Sequence, residues 1–160
     1  MRISTDDALM SIAHVWELRS TCSRNHVGAV IAKDGRHIGS GYNGAPAGMP
    51  HCEHQVTTFN PMRVMVNPPQ WPDEPIVKIP DKGCTIAIHA EANALAYCAR
   101  DGIAVKGATI YTTLSPCYAC SQLIIAAGLV RVAYTRAYRD PAGINLLRSA
   151  GLTVDQMARQ

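Results

Sequence analysis

The stretch His89-Ala90-Glu91-Ala92-Asn93-Ala94-Leu95-Ala96-Tyr97-Cys98-Ala99-Arg100, followed by Asp101-Gly102, decides how this chain is read. Strong helix formers fill it and a helix-stop dipeptide closes it, so it predicts a helix whose first turn carries His89 and Glu91. The unsatisfied N–H groups of that turn favour negative charge nearby. Downstream, Ser115-Pro116-Cys117-Tyr118-Ala119-Cys120 begins a second helix. Pro116 suits its first turn because the missing N–H costs nothing there, and the apolar run continues to Ala127 before Gly128 ends it. Cys117 and Cys120, at i and i+3, then share one face. Each helix is followed by a strand, at 108–113 and 131–135, and this alternation predicts an α/β sheet with some parallel pairs.

His89, Cys117 and Cys120 together supply the nitrogen and sulfur donors that a catalytic zinc takes, leaving a fourth position for water. Glu91 is not needed as a ligand and is left to move protons. An H-x-E motif with a later P-C-x-x-C is the pattern of zinc-dependent nucleobase deaminases. A structural Cys/His zinc, or a redox pair at Cys117 and Cys120, would leave both Glu91 and Pro116 without a purpose.

Working outward, residues 5–19 place Leu9, Ile12, Ala13, Trp16 and Leu18 at helical spacing behind Ser4 or Thr5 as cap. Residues 27–32 and 36–42 are short strands around Lys33-Asp34-Gly35, a hairpin signal. Asp140 or Pro141 opens a fourth helix to about Ala150, and Leu152-Thr153-Val154 is a last strand. The expected fold is α/β, a five-stranded mixed sheet with helices on both faces in three layers. The segment from about 44 to 83 interrupts the pattern: it holds eight of the ten prolines, the only Phe and one of the two Trp. We read it as a structured loop insertion in a single domain spanning 1–160, with Phe59, Trp71 and Ile76 covering the core or a subunit contact.

At 160 residues and 48% hydrophobic content, the chain is long enough to bury one core. No apolar run has membrane-spanning length, and the acidic amino-terminal stretch lacks a signal-peptide core. A cytoplasmic, reducing compartment is expected, with the six cysteines as thiols. A net charge of +3 without a cluster of Lys and Arg gives no polynucleotide track, so no nucleic-acid partner is expected.

Arg19-Ser20-Thr21-Cys22, Val27-Gly28-Ala29-Val30, Gly41-Tyr42-Asn43-Gly44, His89-Ala90-Glu91 and Ser115-Pro116-Cys117-Tyr118-Ala119-Cys120 follow one another in this order. In that combination, over about residues 5–154, the chain resembles the deoxycytidylate (dCMP) deaminases of bacterial and phage type. His-Ala-Glu with Pro-Cys-x-x-Cys alone would also fit tRNA adenosine, guanine and riboflavin-pathway deaminases; the Arg-Ser-Thr-Cys and Gly-Tyr-Asn-Gly segments separate it from those. The resemblance implies the cytidine-deaminase-like α/β/α fold and zinc-dependent hydrolysis of dCMP to dUMP and ammonia, feeding thymidylate synthesis. It further implies a homohexamer activated by dCTP with Mg²⁺ and inhibited by dTTP. Deamination of a C5-modified dCMP, or of a base in single-stranded RNA or DNA, is the competing activity; a nucleotide sensor without turnover would have no use for Glu91.

The resemblance also implies roles for individual residues. Glu91 would shuttle protons during attack at C4 of the ring. Asn43 would hydrogen-bond the nucleotide's sugar or phosphate, Arg24 would hold the 5′-phosphate through its fork, and Tyr138 would form a pocket wall. Each has a structural alternative: a turn before Gly44, a solvated charge, a core ring. Cys22, Cys52 and Cys84 match cysteines that hold a second, structural zinc in relatives. Its fourth ligand would be His54 in preference to His51, since Thr57 stands where relatives carry a further cysteine.

Overall fold

The computed structural model of the chain describes residues 2–22, 24–49, 51–52, 84 and 86–158. Helix α1 (Thr5–Glu17) starts where Ser4 Oγ accepts a hydrogen bond from the Asp7 N–H at 3.0 Å. It is followed by strands β1 (Gly28–Lys33) and β2 (Arg36–Tyr42), joined at Asp34 and Gly35. Both turn residues have positive φ, 51° and 72°, as a tight hairpin that continues the strand twist requires. Then come α2 (Ala90–Arg100), β3 (Thr109–Leu114), α3 (Tyr118–Ala126), β4 (Arg131–Arg136), α4 (Ala142–Ser149) and β5 (Thr153–Gln156).

The strands form the expected five-stranded mixed sheet, in the order β2-β1-β3-β4-β5. β1 pairs antiparallel with β2 and β3, whereas β3–β4 and β4–β5 are parallel, each joined by a crossover helix. Alternation along the strands gives the sheet two buried faces. Val30, Ala32, Tyr111 and Ala133 pack against Leu9, Met10 and Ala13 of α1. On the other face Ala29, Ile31, Ile110, Val132 and Tyr134 carry α2, α3 and α4 through Ala94, Cys98, Ile124, Ile144 and Leu147. The layers are therefore one helix, the sheet and three helices.

Two glycines of β2 fix the depth of α2. A Cβ on Gly41 would lie 2.5 Å from the Ala90 carbonyl oxygen and the Ala94 nitrogen, and one on Gly39 would overlap Cys98 Sγ. Without side chains there, the start of α2 sits hard against the sheet and its first residues are held over the strand ends. At the other end of the site, Gly143 of α4 lets the Pro116 and Cys117 backbone pack directly on it.

Two expectations are corrected by the backbone. Pro116 is not in the first turn of α3: the helix begins at Tyr118 and Cys117 is its N-cap, with φ −71° and ψ 171°. The extended cap leaves the proline outside the helix, at the residue that fixes the chain's approach to it. His89 is likewise the N-cap of α2, at φ −69° and ψ 151°, and not a first-turn residue. The 44–83 insertion lies largely outside the described residues, as do His54, Thr57, Phe59, Trp71 and Ile76. Its flanks are described: Gly44 and Ile88 exchange backbone hydrogen bonds at 3.1 and 2.9 Å, and Cys22 bridges Cys52 in parallel.

Candidate active site

The two N-caps bring the metal donors together. His89 Nδ1 lies 3.4 Å from both Cys117 Sγ and Cys120 Sγ, and the three donor atoms lie within 4.8 Å of one another. Donors at ~2.0–2.3 Å from a tetrahedral zinc stand about 3.5 Å apart, so the observed spacing needs almost no adjustment to take the ion. Because Cys120 is the third residue of α3 and Cys117 its cap, both sulfurs flank the same helix end.

The electrostatics agree with a cation site. The hydrogen bond from Cys120, and the imidazole of His89, hold Cys117 down to about 4, a thiolate. Cys120, which donates to that thiolate, is raised for the same reason. The hydrogen bond with Cys117 raises His89 above its ordinary value. A thiolate, a thiol and an imidazole sharing protons in a half-buried cluster are a donor set that a dication completes by displacing the protons.

Glu91 stands one residue into α2 beyond Ala90 and is 4% exposed. Burial pushes its carboxyl up to about 7, opposed by its own backbone N–H and the His89 charge; a dication beside it would oppose the shift further. It lines the same pocket as His89 and Cys117. A carboxyl able to lose and regain a proton near neutrality, next to a metal donor set, suits proton transfer.

The pocket has a volume of about 160 Å³ and lies at the carboxyl ends of the parallel strands β3 and β4, where open α/β sheets bind ligands. Asn43, Arg24 and Tyr138, the three residues expected to meet the nucleotide, all line it. Asn43 also has a framework role the sequence did not show. Its Oδ1 accepts hydrogen bonds from Ser20 Oγ at 2.7 Å and the Val27 N–H at 2.8 Å, and its Nδ2 donates to the Asn25 carbonyl at 2.6 Å. Thr21 Oγ1 accepts from the Ala45 N–H at 3.3 Å. The Arg-Ser-Thr-Cys and Gly-Tyr-Asn-Gly segments are thus one locked unit. Tyr138 is placed by a hydrogen bond from its N–H to Ser115 Oγ at 2.7 Å, and the Arg139 guanidinium lies 5.9 Å from its ring centre. Arg139 lines the pocket too and was not singled out from the sequence; its place beside Tyr138 was the available signal.

Cys22, Cys52 and Cys84 form a second group with sulfurs within 4.8 Å of one another. Cys22 and Cys52 are buried, and Cys84 Sγ accepts from the Ala87 N–H at 3.3 Å. Burial, and then the neighbouring thiols, push Cys52 up to about 12. Cys22 and Cys84 also line the pocket. His51 is exposed and stands outside this group. All six cysteines are free of disulfides, and Cys98 is a core residue. Among the described residues, no helix is long and apolar enough to cross a membrane.

Comparison with known proteins follows this geometry. The deoxycytidylate deaminase of Mycobacterium phage D29 is 44% identical over 133 residues, covering 82% of this chain and 94% of its own length. ComE operon protein 2 of Bacillus subtilis is 39% identical over 157 residues, covering 98% and 72%. The crystal structure of the dCMP deaminase from cyanophage S-TIM5, in complex with dCMP and dUMP, superposes with a TM-score of 0.75 at 30% identity over 98% of this chain and 99% of that one. Residues 3–136 match the cytidine and deoxycytidylate deaminase zinc-binding region, and the chain belongs to that family.

Proposed function

We propose that this protein hydrolyses dCMP to dUMP and ammonia. The observation that carries the reading is one pocket in which a buried carboxyl, Glu91, stands with the His89, Cys117 and Cys120 donor set, and which Arg24, Tyr138 and Arg139 also line. The dCMP deaminase names and the dCMP- and dUMP-bound structure among its relatives support that substrate.

His89, Cys117 and Cys120 would hold the zinc, which would supply a water acidic enough to attack near neutral pH. Glu91 takes the first proton the water releases and passes it to ring N3 as C4 is attacked, then takes the remaining proton of the new C4 hydroxyl and delivers it to the amino group, which leaves as ammonia. Such transfers are worth ~10²–10⁴ in rate. Arg24 and Arg139 bring positive charge to the mouth of the pocket for the 5′-phosphate, which a guanidinium can hold through two N–H groups. Tyr138 forms a wall of the same pocket. Asn43 meets the nucleotide from the locked unit it shares with Ser20 and Asn25.

The same reading includes a second, structural zinc at Cys22, Cys52 and Cys84. Tetrahedral sulfur ligands stand about 3.8 Å apart, within reach of the observed cluster. The fourth ligand expected from the sequence, His54, lies outside the described residues. By resemblance the reading extends to a cytoplasmic homohexamer that supplies dUMP for thymidylate synthesis, activated by dCTP with Mg²⁺ and inhibited by dTTP.

The test is ammonia release, followed with the ultraviolet change, from dCMP, deoxycytidine, 5-methyl-dCMP and a cytosine-containing single strand, with and without dCTP and Mg²⁺. Turnover of dCMP without comparable turnover of deoxycytidine is expected. Turnover confined to the single strand would replace this function with base editing.

A further inference from the structure

Arg136, the last residue of β4, is tied to two of the segments that wall the pocket, although it does not line the pocket itself. Its Nη2 donates to the His26 carbonyl at 2.8 Å and is ion-paired with Glu17 at the end of α1; its Nε donates to the Thr113 carbonyl at 3.2 Å. Its backbone carbonyl accepts from the Ser115 N–H at 2.8 Å. Ser115 in turn holds the Tyr138 N–H and stands directly before Pro116 and Cys117. The guanidinium therefore fastens the 24–27 segment, which brings Arg24 and Asn25 to the pocket, while the backbone of the same residue fastens the segment leading to Cys117.

His14 Nδ1 lies 2.9 Å from the other oxygen of Glu17, whose side chain is 15% exposed against 34% for Arg136. A charge pair whose acid is largely shielded from water needs its remaining hydrogen-bonding capacity satisfied. Here two backbone carbonyls satisfy the arginine. The His26 carbonyl is the informative partner, because exposed His26 stands between Asn25, which the Asn43 unit holds, and β1.

We propose that Arg136 is a positioning residue that sets the distance between the Arg24 wall of the pocket and the Ser115–Tyr138 wall, and so controls affinity for the nucleotide. The inference rests on the dCMP deaminase reading. The fork of the guanidinium is essential to it: a lysine could keep the Glu17 pair but could not also reach two divergent carbonyls.

The experiment is steady-state kinetics with dCMP on the wild type, Arg136→Lys, Glu17→Gln and the double variant Glu17→Gln/Arg136→Met, with zinc counted in each. The double variant removes both charges, so it folds even where a lone buried charge would not be tolerated. Arg136→Lys and the double variant are expected to raise KM for dCMP by about tenfold or more while kcat falls by less than about threefold, with zinc at the wild-type level. Glu17→Gln leaves the two carbonyl contacts in place and is expected to change KM by less than about threefold. Unchanged KM in the double variant overturns the proposal, as does an equal rise in Glu17→Gln, which would assign the effect to the ion pair. A wild type without dCMP turnover would instead fail the functional reading itself.

Discussion

Two groups of three metal-ligand side chains border one pocket, and each brings its donor atoms within 4.8 Å of one another. They are built differently. His89, Cys117 and Cys120 stand at the starts of α2 and α3, helices held against the sheet by Gly39, Gly41 and Gly143, and a buried carboxyl faces them. Cys22, Cys52 and Cys84 stand on connecting segments outside the helices and named strands, two of them joined by an isolated bridge, and their surroundings push Cys52 up to about 12. On the proposed reading both groups hold a metal, and a rigid frame and a spare proton carrier distinguish the one where chemistry is run from the one where segments are fastened. Helix N-termini add partial positive charge that favours thiolate in the first group alone.

The largest effect expected from breaking this contrast is in the first group. Cys117→Ser should lose the zinc held there, and dCMP turnover should fall below detection, as read by metal analysis and ammonia release on the same sample. The matching change in the second group, Cys84→Ser, should lower zinc from two per chain to one and reduce the melting temperature. Turnover should fall by less than about tenfold, since no reacting group lies among those thiols. If Cys84→Ser instead silenced the enzyme with its first zinc in place, the two groups would not divide their roles in this way.

A smaller change far from both groups calibrates them. Asp6 on α1 receives Arg131 through two parallel contacts at 3.0 and 2.7 Å, and the Tyr111 hydroxyl at 2.6 Å. The Arg131 hydrogen bond holds Asp6 below the usual carboxylate range. Its stabilisation is therefore present above the unfolded-state pKa and is lost as pH falls through the lower folded value. The Asp6 side chain is 39% exposed, so solvent screening keeps this to ~1 kcal/mol or less. Asp6→Asn should lower the melting temperature slightly at pH 7, less so at pH 3, with zinc content and KM unchanged; denaturation at the two pH values reads it.

The sheet was legible because its strands and helices carry strong local signals. Asp34-Gly35 names a hairpin, Asp101-Gly102 names a helix end, and apolar residues repeat at the right periods between them. The first metal group was legible for the same local reason, since two short motifs contain all of it. The position of Cys117 was not, because a cap and a first-turn residue carry the same sequence signature after a proline and differ only in one ψ angle. The side-chain lock of Asn43 onto Ser20, Val27 and Asn25 joins residues 16 to 23 apart in the chain, and the Arg136 ties to His26 and Glu17 span 110 and 119. Hydrogen bonds over such separations leave no periodicity to read.

The central claim is that Glu91, and not a further metal ligand, carries the protons. The most direct measurement is dCMP hydrolysis by Glu91→Gln with zinc counted in the same preparation. The variant should keep the wild-type zinc content, because glutamine has the same shape and Glu91 is no ligand, while kcat falls by ~10²–10⁴. Near-normal turnover with zinc retained, or loss of the zinc along with activity, would contradict the account.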